Sequence, residues 1–151
     1  GIRLKPNDYV VSMSLIPNLE NRFILSVTEN GFGKRTPIDD YRMTNRGGQG
    51  VANIECSARN GPVVASYVAS EDDQIMLVTN SGKLIRIRVH GGEGDSIRVA
   101  GRKTQGVRLF DVEEGEKVVS VALLSENEDE QNEENLEDVV ENKDEAKDLE
   151  N

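Results

Sequence analysis

The sequence predicts an all-β, propeller-like fold. Three observations carry that expectation: short runs rich in Val, Ile and Leu, tight-turn dipeptides between them, and an internal repeat with a period of about 50 residues. The runs are Phe23 to Thr28, Val63 to Ala69, Ile75 to Thr79, Leu84 to Val89 and Lys117 to Leu124. Asn30-Gly31, Asn60-Gly61 and Ser81-Gly82 supply the positive φ that tight hairpins need.

Taken in chain order, the first element is Ile2 to Val11, which aligns without a gap on Phe110 to Val119. That alignment predicts a glycine loop upstream of Gly1 and a chain that is a piece of a longer array. The hairpin Ile24 to Gly31 follows, then the basic glycine loop Arg46-Gly47-Gly48-Gln49-Gly50. The second copy reads Ile75 to Val89, then Gly101-Arg102-Lys103-Thr104-Gln105-Gly106. Valine doublets form a third repeated element: Val10-Val11, Val63-Val64 and Val118-Val119, each just after a turn signal.

Charge divides the chain in two. Residues 1–124 hold 16 Lys+Arg and 15 Asp+Glu, whereas 125–151 hold 2 and 13. The stretch from Ser125 onward has too few apolar residues to offset the entropy of ordering, so the expectation is a disordered acidic tail, with Leu136, Val139 and Val140 at the spacing of a transient helix. Such a tail either solubilises the chain or competes with a polyanion for the neighbouring basic surface. The lone Cys56 excludes an internal disulfide, and no run approaches the ~20 apolar residues of a membrane-spanning helix.

The candidate functional residues are cations. Period-2 alternation places Leu84, Arg86 and Arg88 on one face of their strand and Ile85, Ile87 and Val89 on the other. The two arginines are either ordinary solvated strand residues or part of a binding surface. Between residues 83 and 108 lie Lys83, Arg86, Arg88, Arg98, Arg102, Lys103 and Arg108 against only Glu93 and Asp95. A glycine loop with two cations and a hydroxyl can hold phosphate oxygens through side chains and backbone N–H groups together. The earlier loop repeats the arrangement, with Arg46 in it and Lys34, Arg35 and Arg42 upstream. These eleven residues are the predicted polyanion contacts.

Catalytic readings find little support. His90 is isolated in a glycine-rich turn, Cys56 has no histidine near it, and Glu71-Asp72-Asp73 lacks the spacing of a calcium loop. Tyr9, Tyr41 and Tyr67 lie within repeat segments, where packing explains them.

From Arg42 to Leu124 the sequence resembles the C-terminal domain of DNA gyrase A. The resemblance rests on Arg59-Asn60-Gly61-Pro62-Val63-Val64, the hairpin Ile75 to Val89, and Gly101 to Val107, while Gly1 to Tyr41 fits the preceding repeat. It implies blades of a six-bladed β-pinwheel over residues 1–124, with 125–151 as the acidic tail. It also implies a basic rim that wraps double-stranded DNA and a bacterial cytoplasmic, nucleoid-associated setting. The implied partners are the remaining gyrase A domains and gyrase B in an A2B2 heterotetramer, with no membrane. No catalytic residue, metal or cofactor is implied for this stretch, since the parent type II topoisomerase uses ATP and Mg elsewhere. One departure stands out: the family's box, Gln-Arg-Arg-Gly-Gly-Lys-Gly or close to it, belongs to the first blade, and the nearest text here, Thr44-Asn45-Arg46-Gly47-Gly48-Gln49-Gly50, reads as its degenerate counterpart in a later blade. The corresponding polypeptide of topoisomerase IV therefore stays open as an alternative, as does a propeller-type protein-interaction module that binds no nucleic acid.

Overall fold

The computed structural model describes residues 1–16, 20–91 and 96–125; the expected acidic tail from residue 126 and part of the His90 loop lie outside them. Seven strands run in order: β1 (Phe23–Thr28), β2 (Phe32–Pro37), β3 (Val63–Ala69), β4 (Gln74–Thr79), β5 (Leu84–Arg88), β6 (Val107–Arg108) and β7 (Val118–Leu124). A single 3-10 turn, Ile38–Asp40, follows β2, and the described residues contain no α-helix.

Each repeat builds one antiparallel sheet. The first has the order β3-β1-β2-β6 and the second β5-β4-β7. In both, a hairpin (β1-β2 or β4-β5) lays its first strand against the strand that carries a valine doublet. The doublet has a geometric meaning. Val27 faces Ala65 and Thr28 faces Val63, which leaves Val64 as the extra residue of a bulge. Val78 likewise faces Ser120 and Thr79 faces Val118, which leaves Val119 extra. The hairpin turns also match: the Gly31 and Gly82 N–H groups donate to the Thr28 and Thr79 carbonyls, with φ of 77° and 87°.

The third doublet behaves differently. Val10 and Val11 are exposed and lie in no strand, because no described hairpin pairs with their segment. Ser12, Ser14 and Ile16 instead line a cavity against the first sheet, with the Ser12 hydroxyl donating to the Ser66 carbonyl at 3.0 Å.

One apolar core joins the sheets. Leu25, Val27, Ala65, Ala69, Ile75, Leu77, Val89, Ile97, Val118 and Val121 form a continuous buried cluster. The alternation of β4 puts Ile75, Leu77 and Thr79 inward, and that of β5 leaves Leu84, Arg86 and Arg88 exposed, as the sequence predicts. The Tyr67 hydroxyl donates to the Val121 carbonyl at 2.6 Å, so this tyrosine ties β3 to β7. Asp73, from the acidic triplet, is buried and accepts the Ser70 N–H at 2.7 Å, which makes it a turn former.

β2 departs from its sequence pattern. Phe32-Gly33-Lys34-Arg35-Thr36 has one large apolar side chain, yet all five residues are buried. As a central strand it is flanked by β1 and β6 and covered by residues 97–102, so its polar groups are satisfied by carbonyls rather than by water.

A carboxylate closes the β4–β5 turn. Glu116, with its side chain 2 % exposed, accepts from the Glu113 N–H and from Ser81 Oγ, Thr79 Oγ1 and Lys83 Nζ. These donors, the backbone N–H of Glu113 first, bring its pKa from 4.5 down to about 2. A folded-state pKa below the unfolded one stabilises the fold above pH ~4.5, and that contribution disappears as pH falls towards 2.

Two outcomes are expected. Leu77→Ala, which empties part of the shared core, lowers stability in urea by about 2–5 kcal/mol, whereas Leu84→Ala at the exposed position changes it by less than about 0.5 kcal/mol. Urea titrations between pH 5 and pH 2 show stability falling with acid, and Glu116→Gln flattens that dependence.

Candidate nucleic-acid interface

The eleven predicted contact residues separate into four environments. Lys34 and Arg35 are interior, at 0 % and 5 % exposure. Their expected place among the polyanion contacts is therefore corrected, because β2 is a covered strand. Lys34 Nζ donates to the carbonyls of Asn53, Gly101 and Arg102 at 2.7, 2.5 and 3.0 Å. Burial above all, with help from the Arg102 charge, lowers its pKa, and Asp40 opposes the shift. Arg35 Nε donates to the Ile97 carbonyl at 2.8 Å, and the guanidinium lies over Phe23 and beside Glu71 and His90 Nδ1. His90 is thus an exposed acceptor for a buried cation.

Lys83 is exposed but engaged. Its ammonium lies 3.0 Å from Glu113 and 3.1 Å from Glu116, so its charge is largely compensated locally.

The third group lines a groove. β5 and β6 are the outer strands of their sheets, and between them runs an open depression of about 500 Å³. Arg86, Arg88 and Arg108 stand on its walls, with Gln74 and Ser96 beside them and Ile87, Ile97 and Leu109 beneath. Gln74 Oε1 accepts from Arg86 Nε at 2.6 Å, while Arg88 forms no ion pair among the described residues. The Arg108 guanidinium pairs with the exposed Asp111 and lies 5.5 Å from the centre of the Phe32 ring.

The fourth group belongs to the two glycine loops, which lie side by side. Arg102 Nη1 donates to the Ala52 carbonyl at 2.9 Å, and the Glu55 N–H donates to the Thr104 carbonyl at 2.9 Å. The segment leaving the first loop therefore runs along the second. The equivalent bond in the first loop is Arg3 N–H to the Gly48 carbonyl at 2.8 Å, which shows the repeat in hydrogen bonds as well as in sequence. Arg42 and Arg46 line a depression of about 420 Å³ enclosed by their own loop. Lys103 and Arg98 are exposed at the second loop, and Arg102 rests on Tyr41, 5.9 Å from its ring centre.

Sequence reasoning missed one cation. Arg59 is exposed and lies 5.1 Å from the centre of the same Phe32 ring that carries Arg108, which places a further cation close to a groove-wall arginine. Its signal was present in Arg59-Asn60-Gly61, which read as a turn, while the aromatic partner 27 positions earlier was invisible to local spacing.

Exposed arginines on two neighbouring surfaces can hold a polyanion through charge-assisted hydrogen bonds. Among the described residues no group of three or more His, Cys, Asp or Glu is placed to hold a metal. No helix among them is long and apolar enough to cross a membrane.

Known proteins agree with this architecture. The family described as DNA gyrase C-terminal domain, beta-propeller, matches residues 1–17, 22–61 and 73–125. DNA gyrase A of Rickettsia conorii is 43 % identical over 91 % of this chain and 15 % of its own length. The Staphylococcus epidermidis gyrase A is 40 % identical over 85 % of this chain and 14 % of its own. The chain thus spans about 15 % of the length of such relatives. A solved structure of a DNA gyrase A C-terminal domain superposes with a TM-score of 0.60 at 29 % identity, over 70 % of this chain and 34 % of that one. The C-terminal domain of DNA topoisomerase IV gives 0.72 at 29 % identity, over 83 % and 37 %. With the family model matched over most of its length, the chain belongs to the DNA gyrase C-terminal domain, beta-propeller, family.

Proposed function

We propose that this chain is a DNA-holding part of a DNA gyrase A, which grips duplex DNA through phosphate contacts without reading its sequence. The observation that carries this reading is the basic groove between the outer strands β5 and β6, walled by Arg86, Arg88 and Arg108, with Arg59 on the Phe32 ring that Arg108 shares. Arg42, Arg46, Arg98, Arg102 and Lys103 on the adjoining loops continue the surface. The one amide in the groove wall, Gln74, is engaged with Arg86, whereas the guanidinium groups suit phosphate oxygens.

In the parent enzyme this surface serves wrapping. Bending some 20–30 bp costs about 1–6 kcal/mol, and phosphate contacts spread along a curved surface offset it without base specificity. Wrapping of that kind gives an ATP-driven type II topoisomerase its direction, so that strand passage introduces negative supercoils. Strand cleavage, Mg and ATP hydrolysis then belong to other parts of an A2B2 assembly with gyrase B in the bacterial cytoplasm. On this reading residues 1–124 form the wrapping unit and 125–151 an acidic appendage. A second reading, the corresponding polypeptide of topoisomerase IV, is favoured by the TM-score of 0.72 with that enzyme's C-terminal domain. The curated relatives from Rickettsia and Staphylococcus, all of them gyrase A, favour the first.

Fluorescence anisotropy with unrelated duplexes over a salt series tests the proposal. Affinity is expected to vary less than about threefold among sequences and to fall with salt, each phosphate contact contributing about −0.9 to the log–log slope. Arg88→Gln reduces that slope by about 1 while leaving the fold intact. Strict sequence preference with a flat salt response would overturn the reading.

A further inference from the structure

Lys34 has a role that its burial defines. A lysine ammonium carries three protons and no acceptor. All three protons are used, and every acceptor is a backbone carbonyl: Asn53, Gly101 and Arg102. A neutral amine has only two protons, so the three-acceptor geometry assigns the charged form. The carbonyls come from two separate stretches of chain, the segment leaving the first glycine loop and the start of the second.

The rest of β2 works in the same direction. Two residues along the same face, Thr36 Oγ1 donates to the Ala100 carbonyl at 2.6 Å. Along the strand's edge, the Arg35 N–H donates to the Arg98 carbonyl and its carbonyl accepts the Ala100 N–H. The stretch from Arg98 to Arg102 is thereby laid along β2. With the carbonyls of Gly101 and Arg102 drawn inward, the exposed Lys103 stands at a fixed place on the loop.

Fixing a residue's backbone costs conformational entropy, and glycine loses the most. A loop ordered before its ligand arrives binds without that cost. The device is not repeated in the second hairpin. Ser26 faces Lys34 in the first hairpin as Leu77 faces Ile85 in the second, so the equivalent position is Ile85, which cannot donate.

We propose that Lys34 is a positioning residue for the Gly101 to Gly106 loop, holding it in its DNA-binding form through backbone carbonyls and making no DNA contact itself. The proposal rests on the DNA-holding function given above. It predicts coupling between Lys34 and Lys103, whose side chains serve the same loop from opposite sides.

The test uses the full chain in four forms: unchanged, Lys34→Met, Lys103→Gln, and both together. Duplex affinity and amide hydrogen exchange are measured on each. In Lys34→Met, exchange at Ala100 and Glu55 is expected to accelerate while β4 stays protected, and DNA affinity to fall about tenfold. Lys103→Gln, expected to cost about fivefold alone, costs less than about twofold in the Lys34→Met background. Additive losses with unchanged loop exchange would overturn the proposal and return Lys34 to the direct contacts. Where Lys34→Met does not fold, Thr36→Val provides the milder probe: faster Ala100 exchange supports the clamp, and unchanged exchange sinks it. If the unchanged chain binds no duplex DNA, the DNA-holding function itself fails and the proposal with it. That outcome is distinct from additive losses in a chain that binds.

Discussion

Two glycines in contact set how the second repeat joins the first. A Cβ on Gly106 would lie 2.7 Å from the Gly33 carbonyl oxygen, and one on Gly33 would lie 2.7 Å from Leu109 Cδ1 and 2.9 Å from the Ser26 carbonyl oxygen. Neither approach tolerates a side chain, and Gly106 also has a φ of 76°. The contact allows β6 to cross from its own repeat and pair with β2 at Phe32↔Arg108 and Gly33↔Val107. Once β6 is seated, Arg108 falls beside Phe32, Leu109 packs into the space over Gly33, and residues 98–102 come alongside β2. The basic groove is the gap left between that borrowed strand and β5.

Much of this was legible because the repeat is written in apolar residues and turns. β1 and β3 occupy the runs that their β-branched content predicts, and β4, β5 and β7 differ by one residue at an end. The doublets at 63–64 and 118–119 marked real features, although only pairing shows that their second valines are bulges. The polar strand β2 was harder. Lys34 and Arg35 read as surface charge because a single sequence carries no sign that carbonyls from residues 53 and 97–102, up to 68 positions away, converge on them. Val10-Val11 read as a third copy of the doublet because sequence equivalence records what a segment is, not what it pairs with.

The same contacts explain why counting cations overstates the surface. Lys34 and Arg35 are enclosed, Lys83 sits between two carboxylates, and Arg108 shares its charge with Asp111. Of these cations, those left exposed without a carboxylate partner among the described residues are Arg86 and Arg88 in the groove, Arg42, Arg46, Arg98 and Lys103 on the loops, and Arg59 on the Phe32 ring. With a net charge of only +1 over residues 1–124, the body exerts no strong long-range attraction on a polyanion. The Debye length at physiological salt is about 8 Å, so clustering, and not total charge, decides whether neighbouring phosphates are met together.

Placement therefore matters more than number, and placement is what the interior charges provide. An exposed cation on a loose loop loses side-chain and backbone freedom when it meets phosphate, which erodes a contact already weakened by screening. Cations on β5 and β6 avoid that loss because ladder hydrogen bonds hold their backbone. Those on the second glycine loop avoid it only if something else holds the loop, and β2 carries the groups that can, Lys34 and Thr36. The cost of burying an ammonium is offset by three carbonyls that would otherwise need partners of their own. A polar strand at the centre of the first sheet thus supports a function expressed on the loops of the second repeat.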